Sequence, residues 1–494
     1  MHVRLHSLVL HGLEGQVIDV EVDVASGFPQ FLLVGLADTV VQEARERVRS
    51  ALKNSGYRFP DGRVTVSLSP SHVRKEGAWF DLPIALGILL GSGQIHDAAS
   101  VTERAVFCAE LGLDGSVRAT AKELAQVMSL ESGQKARPAV LARGALDSLY
   151  GVQAECCGVG SLREVADGLD AGTLRWGLPP APPVEARPFP QLPKLKGMAC
   201  VERAMQVALV GRHHAVLYGP PGTGKSVLSQ LTCYWNPDLS TSSALQVGQV
   251  WSAAGMNPAE ILTSHAPPFR APHHTASAPA MVGGGQPLRA GEISLSHHGI
   301  LFLDELPEFR REVLEALREP LQEGVITINR ANGSATFPAQ TQVIATLNPC
   351  PCGFWGDAER TCTCSGALLE KYRRKLSGPL LDRFALSIRV DRVSAQDVLQ
   401  GGGEVYTHQE IQMVRVRVQT ARQVLESQVR PDVLSSETQE VLVQAADTFS
   451  LSPRTISTTC AVARSIAALD GRVRVTAADM AEALQYRWRG WTEG

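Results

Sequence analysis

The residues with the clearest chemistry run from Gly219 through Pro220, Pro221, Gly222, Thr223, Gly224 and Lys225 to Ser226, filling the pattern G-x-x-x-x-G-K-[ST] at every position. Glycines are required there because successive backbone N–H groups can wrap a phosphate only where no Cβ intrudes. Lys225 sets a point charge against the β- and γ-phosphates, and the Ser226 hydroxyl completes a Mg²⁺ shell. An apolar stretch, Ala215–Tyr218, precedes the loop and a helical one, Val227–Cys233, follows it, so the pattern falls on a strand-to-helix turn. A second apolar stretch, Gly299–Leu303, runs into Asp304 and Glu305. Asp304 suits holding Mg²⁺ through water, and Glu305 suits polarising an attacking water. A third, Gln342–Leu347, ends at Asn348, whose neutral amide can meet the γ-phosphate or orient that water. Phosphoryl transfer also needs a cation at its developing charge, commonly from a neighbouring subunit, and Arg383 and Arg454 are the candidates. The chemistry these residues point to is hydrolysis of a nucleoside triphosphate with Mg²⁺.

Four of the ten cysteines lie close together, as Cys350-x-Cys352 and Cys362-x-Cys364. Four soft ligands in one short loop suit a tetrahedral zinc ion, although C-x-C departs from the usual C-x2-C pair. A redox-labile pair and reduced structural thiols are the other two readings. A metal there would staple the loop joining Asn348 to the segment that bears Arg383.

These residues need a scaffold, and the chain divides by composition. Residues 1–178 mix strands (Val17–Val24, Val64–Leu68) with helices (Asp38–Asn54, Leu82–Leu90), an α+β pattern with its own core. Residues 179–193 hold Pro179, Pro180, Pro182, Pro183, Pro188, Pro190 and Pro193, a stiff linker. Residues 194–392 alternate strand and helix, which argues for a parallel sheet with crossover helices. Residues 393–494 read as a helical lid, with helices over Gln409–Ser427, Ser435–Thr448, Arg454–Leu469 and Thr476–Arg487. The fold class is α/β with an α+β domain in front. A formal net charge of −3 excludes a polybasic coat, so contact with nucleic acid needs a local patch. Candidates are Pro258–His298 with Arg270, His273, His274 and Arg289, a hairpin over Val325–Phe337 with Arg330, and the basic run Lys371–Lys375. No apolar run approaches the ~18 residues that cross a bilayer, and no signal-peptide core opens the chain, so a soluble cytoplasmic protein is expected.

The combination of phosphate loop, acidic strand end, Asn348, Leu380-Leu-Asp-Arg-Phe384 and Ser452-Pro-Arg454 resembles the AAA+ ATPases of the Mg-chelatase-like branch. Phe269-Arg-Ala-Pro-His-His-Thr275, Val282-Gly-Gly-Gly285, Gly291-Glu-Ile-Ser294, Leu303-Asp-Glu-Leu-Pro-Glu308 and Asn348-Pro-Cys-Pro-Cys-Gly353 are similar to its YifB/ComM type. So are Gly27-Phe-Pro29, Val34-Gly-Leu36, Arg74-Lys-Glu-Gly77 and Phe80-Asp-Leu-Pro-Ile-Ala85. The resemblance implies a hexameric ring that hydrolyses ATP between subunits. It further implies movement on single-stranded or branched DNA, with branch-migration or helicase activity in DNA uptake, recombination or repair beside recombination proteins. Arg383 then resembles the arginine finger and Arg454 the sensor-2 arginine; Pro453 stands where relatives tend to carry Ala, and proline suits a first helical turn. A remodelling chaperone of the Mg-chelatase or MoxR kind, acting on a protein client, and a slow ATP-binding scaffold share the same nucleotide site. The N-terminal region resembles the Lon proteolytic domain, with Lys122 near its lysine position, but Glu76–Phe80 offers no serine nucleophile. Such a domain is expected to stabilise the ring or position DNA.

Overall fold

Alternating burial over His2–His11 and Glu14–Ala25 makes a long antiparallel pair, from His2 opposite Asp23 to His11 opposite Glu14. The computed structural model describes residues 1–131, 137–183, 187, 189, 191–194, 197–285, 288–330, 333–357, 359–392, 404–427 and 434–487. The pair lies inside a seven-stranded sheet in the order Gln30–Val34, Arg63–Ser69, Glu14–Ala25, His2–His11, Val106–Cys108, Ala139–Ala142, Cys156–Val159. Against it packs the helix Asp81–Gly91, buried on every face, which is why its sequence is apolar throughout rather than striped. The single helix expected over Asp38–Asn54 is instead two, Thr39–Gln42 and Ala44–Asn54. The Val40 carbonyl, which an unbroken helix would give to the Ala44 amide, accepts from Arg47 Nη2 at 2.8 Å while Arg47 also grips buried Asp81 at 2.6 and 3.0 Å.

A second sheet of five parallel strands follows, in the order Phe269–Arg270, Ile300–Leu303, Gln342–Leu347, Ala215–Tyr218, Leu386–Arg389. The first strand in the chain sits fourth in space, so the strand order reverses beside it. In an open α/β sheet that reversal opens a crevice at the carboxyl ends. One face is covered by the helices Ala199–Val210 and Lys225–Trp235, the other by the helix Arg311–Ala316 and the hairpin Val325–Arg330/Gly333–Pro338.

The C-terminal helices are His408–Ser427, Ser436–Phe449, Pro453–Leu469 and Ala477–Gln485, the last opened by a capping box between Thr476 and Asp479. Val418, Val462, Ile466 and Met480 share one buried cluster with Leu209, Leu228 and Leu386, so these helices close over the core. The expected boundary at 392/393 lies outside the described residues. The described part of 179–193 carries no helix or strand, and its end is tied down by Tyr406 N–H donating to Leu192 O and Lys194 N–H to Glu404 O, both at 2.9 Å. Among the described residues no helix is long and apolar enough to cross a membrane.

Several contacts stitch the two sheets together, two of them close. The turn at Gly12 lies so close to the hairpin that a Cβ there would sit 2.8 Å from the Ala335 Cβ, and Leu13 packs against the cluster that contains Phe337. Ser252 of the helix Thr241–Ala253 donates to Ala121 O at 2.8 Å and accepts from Ala125 N–H at 3.2 Å.

Histidines line the amino end of the second sheet. His214 Nδ1 accepts from the Val343 amide at 3.1 Å and His297 Nδ1 from the Gln340 amide at 3.2 Å, roles open only to an unprotonated nitrogen. Burial pushes both pKa values down, to about 4 for His214 and about 3 for His297. Below the free-histidine value near 6.5 the unfolded chain takes up protons that these rings refuse. Full stability is therefore present above pH 6.5 and is lost as pH falls toward 4, by about 1.4 kcal/mol per pH unit for each ring. Chemical denaturation at pH 7.5, 6 and 5 is expected to show this, and a flat profile would refute it.

Candidate active site

The loop Gly219–Ser226 begins as the buried strand Ala215–Tyr218 ends. Gly222 and Gly224 take positive φ (78° and 85°), and nothing lies within 4 Å of a Cβ built on Gly222, so the loop leaves an open cradle lined by backbone. Lys225 Nζ reaches across that cradle, donating to Gly219 O at 2.8 Å, Pro220 O at 2.7 Å and Asn348 Oδ1 at 3.3 Å. Burial lowers its pKa to about 8, while Asp304 and Glu305 pull it back up. The Ser226 side chain is exposed at the helix start.

Two strands away, Asp304 and Glu305 end the strand Ile300–Leu303 and are both exposed. One residue aligns the pair: Thr346 Oγ1 donates to Asp304 Oδ1 at 2.5 Å and accepts from the Glu305 amide at 3.0 Å. Glu305 holds φ 53°, a left-handed conformation that costs a non-glycine residue about 1–3 kcal/mol and turns its side chain out of the strand direction. Tyr372 OH donates to Asn348 O at 3.0 Å and fixes the end of the third strand. Lys225, Asp304, Glu305 and Asn348 thus meet at one carboxyl edge.

Arg383 does not join them. It lies three residues before the strand Leu386–Arg389, whose Leu386 pairs with Ala215 and Arg389 with Tyr218. Four strand residues, about 13 Å, separate that amino end from the edge that carries the phosphate loop. Arg383 donates to Arg318 O at 3.1 Å, Pro379 O at 2.5 Å and Gln322 Oε1 at 2.9 Å. Arg454 sits near it: burial first, then the Arg454 and Arg318 charges, hold the Arg383 pKa down. Pro453 occupies the first position of its helix behind the cap Ser452, and Arg454 follows, exposed.

The four cysteines also converge. Cys350, Cys352, Cys362 and Cys364 offer sulfurs all within 4.8 Å of one another, and Cys350 is buried.

The sequence contained no cue to the Thr346 and Tyr372 contacts beyond one: Thr346 is the polar residue inside the otherwise apolar end Val343–Leu347. Tyr372 carried no signal. Of the cationic residues expected to meet DNA, Arg270 is taken by Glu292 in a two-pronged pair at 2.6 and 2.8 Å, Arg374 pairs with Glu370 and Lys375 with Glu308. Lys371, Arg289 and His273 are exposed, and the side chain of Arg330 lies outside the described residues. Lys122, the lysine expected near a proteolytic position, has its ammonium 5.3 Å from the Trp79 ring centroid, and burial lowers its pKa. Among the described residues no hydroxyl is hydrogen-bonded to that ammonium.

Three family models match the chain: magnesium chelatase subunit ChlI over residues 191–398, subunit ChlI of Mg-chelatase over 20–143, and magnesium chelatase subunit ChlI C-terminal over 403–487. The chain is 36% identical to competence protein ComM of Haemophilus influenzae over 98% of this chain and 97% of that protein. It is 34% identical to the uncharacterized protein YifB of Escherichia coli over 98% and 96%. A shorter stretch, 37% of this chain and 19% of the other, is 27% identical to the probable DNA helicase MCM8 of Oryza sativa subsp. indica.

Proposed function

We propose a DNA motor from one premise: the chain belongs to the YifB/ComM-type family of Mg-chelatase-like AAA+ ATPases. The supporting observation is spatial. Lys225, Asp304 and Asn348 share one edge of the sheet while Arg383 stands at the other, so a complete hydrolytic site needs a second copy of the chain. A ring, with six members as in the family resemblance, supplies one such interface per subunit. In it the neighbour's Arg383 and Arg454 would meet the γ-phosphate together.

Within that site the backbone of Gly219–Gly224 holds the phosphates and Lys225 exchanges its carbonyl partners for β- and γ-oxygens. Ser226 and Asp304 would hold Mg²⁺, which when bound neutralises phosphate charge; an exposed hydroxyl and a carboxylate with one oxygen left by Thr346 suit that role. Water attacks the γ-phosphorus, its proton passes to the Glu305 carboxylate, and ADP leaves. Asn348 orients that water.

DNA is the track in this reading because the named relative is a competence protein and a distant one a probable DNA helicase. Short insertions lie between the strands Phe269–Arg270 and Ile300–Leu303, including Gly283–Gly284 paired with Arg289–Ala290, and would meet the track at the ring's centre. Residues 1–178 would brace the ring, 179–193 link it, 194–392 hydrolyse and 393–494 cover the core. The family models themselves favour a second reading, an ATP-dependent chaperone working on a protein client as a chelatase subunit. The experiment is ATP turnover with and without single-stranded or forked DNA, beside native mass in ATP. Strong, salt-sensitive stimulation by DNA supports the motor; a ring that turns over without responding to any DNA supports the chaperone.

A further inference from the structure

The expected staple between Asn348 and the Arg383 segment takes a different form. Cys350 and Cys352 sulfurs are 3.3 Å apart, Cys350 and Cys362 3.7 Å, Cys352 and Cys362 3.5 Å. A single tetrahedral ion with metal–sulfur bonds of ~2.3 Å has sulfurs about 3.8 Å apart along each edge. The observed spacing matches one ion, whereas the cysteine sulfurs around a polynuclear cluster must stand farther apart. The surroundings suit anionic sulfur. The Trp355 amide donates to Cys350 Sγ at 3.3 Å and the Cys364 amide to Cys362 Sγ at 3.5 Å. Arg360 and Arg392 lie 5.3 and 5.4 Å from the Phe354 ring centroid, and Arg373 5.1 Å from that of Trp355. Three guanidinium groups therefore crowd the loop that carries the thiols.

The loop also touches the nucleotide site. Gly353, at φ 84°, approaches Pro221 of the phosphate loop so closely that a Cβ would meet Pro221 Cδ at 2.5 Å. Two residues before Cys350 stands Asn348, tied by Tyr372, whose helix Gly366–Arg373 begins just after Cys364. The residue directly after the second cysteine is thus pressed against the phosphate loop, and the chain leaving the last cysteine returns to Asn348 through Tyr372.

We propose that Cys350, Cys352, Cys362 and Cys364 bind one Zn²⁺ as four thiolates, and that this ion seats the turn Pro351–Gly353 against the phosphate loop. Binding releases four thiol protons to solvent and leaves a dianionic site that the amides and arginines offset. Zinc fits because it is redox-inert, prefers tetrahedral sulfur and closes a structural site without an open position. The metal half stands on the cysteine geometry alone; the seating half rests on the nucleotide-site reading.

The test uses the full-length protein purified under reducing conditions without added metal. Elemental analysis is expected to give about one zinc per chain, and all four thiols should resist alkylation until a chelator or mercurial releases the ion. Replacing zinc by Co²⁺ should give the intense visible absorption of a tetrahedral thiolate site. The Cys362→Ser, Cys364→Ser double variant should retain less than a tenth of the zinc. Zinc well below one per chain, bound iron in its place, or alkylation of the thiols before release would each overturn the metal half, whether or not the protein hydrolyses ATP. For the seating half, chelation of wild-type protein should weaken binding of a fluorescent ATP analogue at least threefold with far-UV circular dichroism unchanged. Unchanged affinity after zinc release would overturn it.

Discussion

Glu305→Gln is expected to bind ATP about as tightly as the parent chain and to turn it over a hundredfold to ten-thousandfold more slowly, the range a positioned general base supplies. The substitution keeps the volume and the backbone bond from the Glu305 amide to Thr346, so the left-handed turn and the Asp304 position persist. Only the capacity to take a proton is lost. Lys225→Ala makes the opposite change: Gly219 O, Pro220 O and Asn348 Oδ1 lose their shared donor, and the phosphates lose their buried cation. That variant should not retain nucleotide at all. Gel filtration with labelled ATP separates the two, since Glu305→Gln should elute with unhydrolysed ATP and Lys225→Ala with none. Normal turnover by Glu305→Gln would remove the assignment of the base.

The second large effect concerns Arg383. Arg383→Ala should leave ATP binding intact and cut turnover by about 10³–10⁵, the worth of a finger arginine. A loss of that size has a trivial explanation if the arginine merely anchors its own subunit through Arg318 O, Pro379 O and Gln322. Mixing distinguishes them. Lys225→Ala subunits are inert but carry an intact arginine; Arg383→Ala subunits are inert but carry an intact phosphate loop. Combined in one ring, they should regain activity at those interfaces where the two intact halves face each other. A mixture as inactive as its parents would show that the arginine serves only its own chain.

The parts of this site that could be read from sequence are those whose chemistry demands a fixed local spacing. The phosphate loop, the acidic end at Asp304 and Glu305, and Asn348 each close a strand, and a parallel sheet gathers such ends by its topology. What was illegible depends on contacts between segments distant in the chain. Thr346 bridging Asp304 and Glu305, Tyr372 holding Asn348, and Gly353 against Pro221 are all of that kind. The helix over Asp38–Asn54 failed similarly, because its apolar spacing was sound but Arg47 was drawn onto Asp81, a residue of another helix. Arg270 looked available for phosphates until Glu292 was placed beside it. Terminal capping, by contrast, is local, and Thr476 opened the last helix where its side chain predicted.

The stitches between the sheets lie close. Because the Gly12 turn lies against Ala335 and Ser252 clasps Ala121 and Ala125, the hairpin Val325–Arg330/Gly333–Pro338 and the helix Thr241–Ala253 are both packed onto the front domain. The front domain is therefore fastened to the rest of the chain through side chains and backbone, not only through residues 179–193. Removing it would take Leu13 away from the cluster that contains Phe337 and leave Ser252 without its two backbone partners.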